Sequence, residues 1–272
     1  DQIVKSEENI LKTFDGRIWK SEENVLRTFD GRIWKCEQKT VKAINERIWN
    51  MSYKMEKHFP QHSLTRQSND YVYNEFFYDE NRYNSYMSAY HVFKKLLPIL
   101  KPKSICDFGC GTGTWLYVAQ KFGVEKVTGL DGNYVDRDLL MIDVDDFIPS
   151  DLRQPTLLNQ SFDLAISLEV AEHIDAKYAD IFIDNICSSS KVIIFSAAHP
   201  GQGGDEHVNE QPFSYWKHKF EVRGYTYIEI RSLFELNQDI CTWYRENIAL
   251  FVKKDIAEQY NLKFTQLVGD IT

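Results

Sequence analysis

Two short segments carry side chains that could do chemistry together. SLEVAEHI, residues 167–174, sets Glu169, Glu172 and His173 at i, i+3 and i+4. On a helix start these would share one face. HVNEQ, residues 207–211, adds His207, with Asn209, Glu210 and Gln211 close enough to orient it or a polar substrate. Histidine is the usual proton acceptor near neutral pH. Carboxylates combined with histidine can also hold Mg²⁺ or Mn²⁺. The residues leave three roles open for the first segment: lining a substrate pocket, holding a divalent metal with a fourth ligand from elsewhere, or capping a helix N-terminus.

A third segment is built to approach a ligand with its backbone. SICDFGCGTGTW, residues 104–115, predicts a strand over about 103–108, a tight glycine turn and a helix over about 113–122. Gly109, Gly111 and Gly113 make GxGxG, which differs from the dinucleotide GxGxxG, and no GK[ST] follows to make a P-loop. Asp107 stands two residues before the first glycine, where it can accept a hydrogen bond from a cationic amine. KVTGLD, residues 126–131, predicts a second strand ending in Asp131, and a carboxylate at that tip is the standard partner of ribose hydroxyls. The alternative for Asp131-Gly132 is a plain turn. In DFIPSDL, residues 146–152, Asp151 offers a carboxylate for the exocyclic amine of adenine and Leu152 an apolar side chain for its ring.

These segments need strands to carry them. Apolar runs at 162–168 and 191–197 predict a fourth and a fifth strand, buried on both faces. YTYIEIRSL, residues 225–233, and NIALFVKK, residues 247–254, complete the set. Helical patterns separate the early strands, so the sheet is expected to be mostly parallel and doubly wound. Ligands then belong at the carboxyl ends of the strands.

DFGCGTG, LD, SDL and SLEVAEHI in this order resemble the class I S-adenosylmethionine-dependent methyltransferases, over roughly residues 70–254. A group of bacterial methyltransferases shares a lead-in like YDENRYNSYMSAYHVF, a DGNYVDRDLL segment, HVNEQPFSYW and a late WYREN. The resemblance implies a Rossmann-like sheet of seven strands, the last antiparallel. It implies S-adenosylmethionine as cofactor, with Asp107, Gly109, Gly111 and Gly113 at its methionine part, Asp131 and Gly132 at ribose, and Asp151 and Leu152 at adenine. Glu169 would touch the cofactor, while Glu172 and His173 shape the acceptor side. His207, in a segment specific to the resembling group, is the candidate base. Ubiquinone-pathway O-methyltransferases and plant small-RNA 2′-O-methyltransferases carry similar Glu-x-x-Glu-His segments, and a divalent metal (Mg or Mn) is implied there. The expected activity is methylation of a small-molecule acceptor, at the oxygen of a sugar or other metabolite hydroxyl. The alternatives are a metal-dependent RNA 2′-O-methyltransferase and a cofactor-binding scaffold.

Bulk properties narrow the setting. The 272 residues are 43% hydrophobic and 26% charged, with a net charge of -8. That balance argues against nucleic acid as partner, because duplex binders present a basic face. The five cysteines form no CxxC pair, which argues against a zinc or disulfide framework and for a cytoplasmic setting. No run of apolar residues is long enough to span a membrane. The polar, acidic start lacks the shape of a signal peptide.

The N-terminus repeats. SEENILKTFDGRIWK at 6–20 and SEENVLRTFDGRIWK at 21–35 are followed by a degenerate copy at 36–50. Apolar residues at spacings of four and eight suggest helix, with a hairpin array as the alternative because of the Asp-Gly pairs. The expected organisation is a helical extension over 1–58, a linker over 59–70 and the catalytic domain over 71–272. The repeats are candidates for self-association into a homo-oligomer. In the loop GQGGDEHVNEQ, residues 201–211, the glycines are expected to let a substrate-side loop bend over the pocket.

Overall fold

A computed structural model describes residues 75–261 and Phe264. The expectations for the repeats at 1–58 and the linker at 59–70 lie outside the described residues.

A long helix, α1 (Glu75–Leu100), leads into a sheet. Its strands are β1 (Ser104–Phe108), β2 (Lys126–Asp131), β3 (Phe147–Pro149), β4 (Leu164–Leu168), β5 (Val192–Ser196), β6 (Tyr225–Ile228) and β7 (Ala249–Lys253). Four further helices are α2 (Thr114–Lys121), α3 (Ala179–Ser189), α4 (Phe213–Glu221) and α5 (Thr242–Asn247). The strand order is β3-β2-β1-β4-β5-β7-β6. All neighbouring pairs are parallel except those made by β7, which runs antiparallel to both β5 and β6. The predicted doubly wound sheet of seven strands is therefore present.

Period-two alternation splits the strands between two cores. Ile105, Val127, Ile166, Val192, Ile194, Leu250 and Val252 face one side, with Val92, Phe93 and Leu96 of α1 and Leu116 and Ala119 of α2. Cys106, Phe108, Leu130, Ala165, Ile193, Phe195 and Phe251 face the other, with Phe182, Ile183 and Ile186 of α3 and Trp216 and Phe220 of α4. Helices cover both faces, which is why β4 and β5 are buried along their whole length. No helix among the described residues is long and apolar enough to cross a membrane.

The strands are shorter than the apolar runs that predict them, most of all in YTYIEIRSL. YTYIEIRSL contributes only Tyr225–Ile228 and then turns, because the Glu229 carboxylate accepts the backbone N–H of Arg231 at 2.6 Å and pairs with its guanidinium. The segment DFIPSDL supplies the edge strand Phe147–Pro149, a position where Pro149 is tolerated.

An aromatic stack locks β7 against α4. The rings of Phe220 and Phe251 lie 4.1 Å apart at 19°, with Phe195 and Phe213 against Phe251 at 6.4 and 6.2 Å. Phe251 is fully buried. Phe251→Ala should cost about 3–5 kcal/mol of stability, read as a lowered midpoint in urea unfolding; a loss below about 1 kcal/mol would contradict the assigned packing.

Candidate active site

The carboxyl ends of β1 and β2 are knitted together by the glycine turn. Gly109 N–H and Cys110 N–H both donate to the Leu130 carbonyl, at 2.7 and 3.1 Å. Gly111 N–H donates to Asp131 Oδ2 at 2.7 Å, and Gly132 N–H to Asp131 Oδ1 at 2.6 Å. Gly109 has φ of 86°, and a Cβ there would overlap Val170, so glycine is required twice over. Gly113, the third glycine, precedes α2. Asp107 and Asp131 are both nearly buried within this knot. Burial, and then the Asp131 carboxylate, push the Asp107 carboxyl well above its ordinary range. A cation beside it would reverse that shift.

The loop after β3 carries the two candidate adenine residues, Asp151 and Leu152. Asp151 is exposed, and its carboxylate is clamped by Arg153, Nε to Oδ1 at 2.8 Å and Nη2 to Oδ2 at 3.0 Å. Leu152 is half-buried against the core shared with α3. Buried Asn185 of α3 holds this loop, accepting Thr156 N–H at 2.8 Å and donating to the Gln154 carbonyl at 2.8 Å.

The segment after β4 is not a helix start. Ala171–His173 form a single 3-10 turn, and the next helix, α3, begins only at Ala179. The reason is that the Glu172 carbonyl accepts Val208 N–H and Asn209 N–H, each at 2.9 Å, instead of an amide four residues on. Glu169 has a left-handed φ of 56° and leaves the shared face that i, i+3, i+4 spacing predicts. Its carboxylate accepts from Gln202 Nε2 at 3.0 Å and from Asn247 Nδ2 at 3.2 and 3.3 Å. Asn247 Nδ2 also donates to Gln202 Oε1 at 2.8 Å. Burial raises the Glu169 carboxyl above its ordinary value, and the amide donors oppose that rise.

Glu172, His173 and His207 do come together, with ligating atoms all within 4.8 Å of one another. The two imidazoles meet edge to face, 4.9 Å apart at 86°. Glu172 is fully buried, and neither carboxylate oxygen has a hydrogen-bond partner. Burial first, and then the nearby Glu169 and Glu210 carboxylates, push it up to about 8. Burial, and then His207, lower His173. His207 Nδ1 lies 2.9 Å from Glu210 Oε1. Glu210 is held below its ordinary value, first by His207 and then by Gly201 N–H. An ionised carboxylate only accepts, so Nδ1 carries a proton, and in the neutral ring that leaves the lone pair on Nε2.

The loop's glycines therefore have specific tasks. Gly201 N–H and Gly203 N–H donate to the two oxygens of Glu210, at 2.7 and 2.8 Å. Gly204 leaves room for the His207 ring, which a Cβ would overlap. His199, the other histidine of this loop, is exposed and stands over its neighbour's carbonyl, Pro200 O, at 3.3 Å. Gln202 and Asn247 were not singled out by their sequence patterns. The only hint was that Asn247 closes the WYREN segment.

A family described as "Methyltransferase domain" matches residues 78–240, more than half of the chain. The chain belongs to this methyltransferase family. No curated protein matches it. Among solved structures, the methyltransferase is similar to the sugar N-methyltransferase KedS8 from Streptoalloteichus sp. ATCC 53650, at 12% identity and TM-score 0.53, covering 72% of this chain and 99% of that one. It is also similar to magnesium protoporphyrin IX methyltransferase from Synechocystis PCC 6803 with bound SAH, at 17% identity and TM-score 0.50, covering 68% and 90%. At these identities the likeness establishes the methyltransferase fold, with its seven-stranded sheet.

The raised Glu172 carboxyl has a stability consequence with a definite sign. A carboxyl whose folded-state value exceeds its ordinary one makes the folded state bind the extra proton, so stability falls as pH climbs. The window runs from the ordinary 4.5 to about 8. Urea unfolding with a chelator present should show the native chain losing at least about 1 kcal/mol more than Glu172→Gln across this window, the worth of one pKa unit. Parallel pH profiles for the two proteins would sink the assignment.

Proposed function

We propose that this methyltransferase carries the methyl group of S-adenosylmethionine to the oxygen of a small polar acceptor, a sugar or other metabolite hydroxyl. The observation that carries the reading is the cluster of Glu172, His173 and His207 at the carboxyl end of β4, with His207 oriented by Glu210. Asp107 and the Gly109–Gly113 turn are one strand away, at the end of β1, and Asp131 stands at the end of β2, the strand beyond.

The chemistry is an in-line displacement. The acceptor oxygen attacks the methyl carbon of the sulfonium, the C–S bond breaks, and its electron pair stays on sulfur. The acceptor proton passes to His207 Nε2. Glu210 fixes the tautomer that makes this possible and stabilises the imidazolium that results, as a carboxylate partner does for a general base. Asp107 and Asp131, buried with no cationic side chain paired to them among the described residues, suit a positively charged cofactor. Orientation of the acceptor against the methyl supplies much of the acceleration.

The orphaned carboxylate of Glu172 favours a second reading of the same cluster. A buried carboxylate without hydrogen bonds beside two imidazoles has the donor set of a divalent-metal site. Glu172 would supply an oxygen, and His173 and His207 a ring nitrogen each. Mg²⁺ or Mn²⁺ there would polarise the acceptor hydroxyl. In that case Glu169 is a neighbour rather than a ligand, because Gln202 and Asn247 engage it. The net charge of -8 weighs against RNA as the acceptor under either reading.

His207→Ala should lower turnover by about 100-fold or more while leaving S-adenosylhomocysteine affinity unchanged. Turnover is read as S-adenosylhomocysteine release across a panel of free and nucleotide-linked sugars, and unchanged turnover would remove His207 from the mechanism. A chelator separates the two readings. Activity that persists in its presence supports the base alone, whereas loss that Mn²⁺ restores supports the metal.

A further inference from the structure

We propose, resting on the reading above in which His207 Nε2 supplies the lone pair, that Gln202 and Asn247 are positioning residues for His207. With Glu169 they form a latch that holds the loop gripping its orienting carboxylate, Glu210.

The loop after β5 has little packing of its own. Residues 201–212 form no helix or strand, and of residues 201–206 only Gln202 is not exposed. Its neighbours Gly201 and Gly203 have φ of 85° and 71°, and a Cβ at either would meet nothing within 4 Å. Packing therefore does not fix this turn, and glycine gives up more freedom than any other residue when it is fixed. Yet these two glycines supply the amides that take Oε2 and Oε1 of Glu210, and Oε1 faces His207 Nδ1. The orientation of the imidazole thus needs a turn that its own residues do not hold.

Gln202 supplies the anchor, and both ends of its amide are used. Nε2 donates to Glu169 Oε2 at 3.0 Å, and Oε1 accepts from Asn247 Nδ2 at 2.8 Å. Asn247 Nδ2 also reaches both oxygens of Glu169, so the three side chains close a ring of hydrogen bonds. A closed network of this kind fixes its members in one arrangement. The far side of the ring belongs to the sheet. Asn247 ends α5 and is followed by buried Ile248 and Ala249, and Ala249 pairs with Phe195 of β5. Glu169 follows β4 directly, and its N–H donates to the Ser196 carbonyl at 3.1 Å. Gln202 therefore ties the loop to the ends of β4, β5 and β7, and the amides on either side of it inherit that position. The same lone pair on Nε2 is needed for a metal, so the latch serves both readings of the cluster.

The tautomer of His207 tests the assignment. It is read by ¹⁵N NMR on the full chain labelled at histidine, with a chelator present and at a pH where the ring is neutral. The signal is assigned by its loss in His207→Ala. The native protein should carry the proton on Nδ1 alone. Gln202→Ala and Asn247→Ala, which open the ring from opposite sides, should each put about a tenth or more of the rings in the Nε2–H form, the scale of effect expected when a hydrogen bond to a charged group is weakened. Gln202→Met keeps the length of the side chain without its amide, and should match Gln202→Ala. Gln202 lies on an open loop, so its variants should unfold within a few degrees of native. A native tautomer in both alanine variants would overturn the proposal. So would a native tautomer in Gln202→Met alone, by making the anchor one of packing. Unchanged turnover in His207→Ala would remove the base from the reaction but leave this comparison intact, so the two failures are distinguishable.

Discussion

The candidate active centre depends on one carbonyl. The Glu172 C=O accepts both Val208 N–H and Asn209 N–H, so its two lone pairs are occupied by a loop more than thirty residues away in sequence. That contact does three things together. It keeps the chain after β4 from winding into a helix. It turns the Glu172 side chain into the interior, where it is fully buried. It also brings His207, the residue just before Val208, against His173. Glu210 then closes the arrangement, because its oxygens take two loop amides and its neighbourhood fixes the imidazole.

The second organising feature is concentrated negative charge. Asp107, Asp131, Glu169 and Glu172 all lie at or just beyond the carboxyl ends of central strands; Glu169 is half-buried and the other three are buried. Desolvation leads the causes that raise Asp107, Glu169 and Glu172, and a neighbouring carboxylate adds to it for Asp107 and Glu172. Such a site is poorly satisfied on its own and well suited to cationic ligands. A sulfonium at one end, and a proton in flight or a divalent ion at the other, would each relieve part of the strain. The acidic interior and the cationic cofactor are thus two halves of one electrostatic argument.

Local chemistry determined what could be read from the sequence. The GxGxG turn and Asp131 were legible because glycine at positive φ and a carboxylate at a strand tip are local requirements. The seven strands were legible because burial on both faces leaves unbroken apolar runs such as VIIFS. The helical face for Glu169, Glu172 and His173 was not there, because spacing alone does not register a distant loop taking the Glu172 carbonyl. Gln202 and Asn247 were missed for a related reason. Amide side chains carry no periodic signal, and their meeting with Glu169 depends on three strand ends converging. The length of β6 failed on chemistry that spans only two residues, Glu229 capping Arg231.

The antiparallel insertion of β7 between β5 and β6 has a biosynthetic meaning. Among the described residues β6 pairs only with β7, and one edge of β5 stays open until β7 arrives. As the chain leaves the ribosome, the cofactor half of the sheet, β1 to β5, can assemble early. β7, made after both of its neighbours, must then slide between two waiting edges. Until residues 249–253 emerge, the nascent protein exposes an apolar strand edge of the kind that invites pairing with another chain. The window for misassembly closes with one five-residue strand.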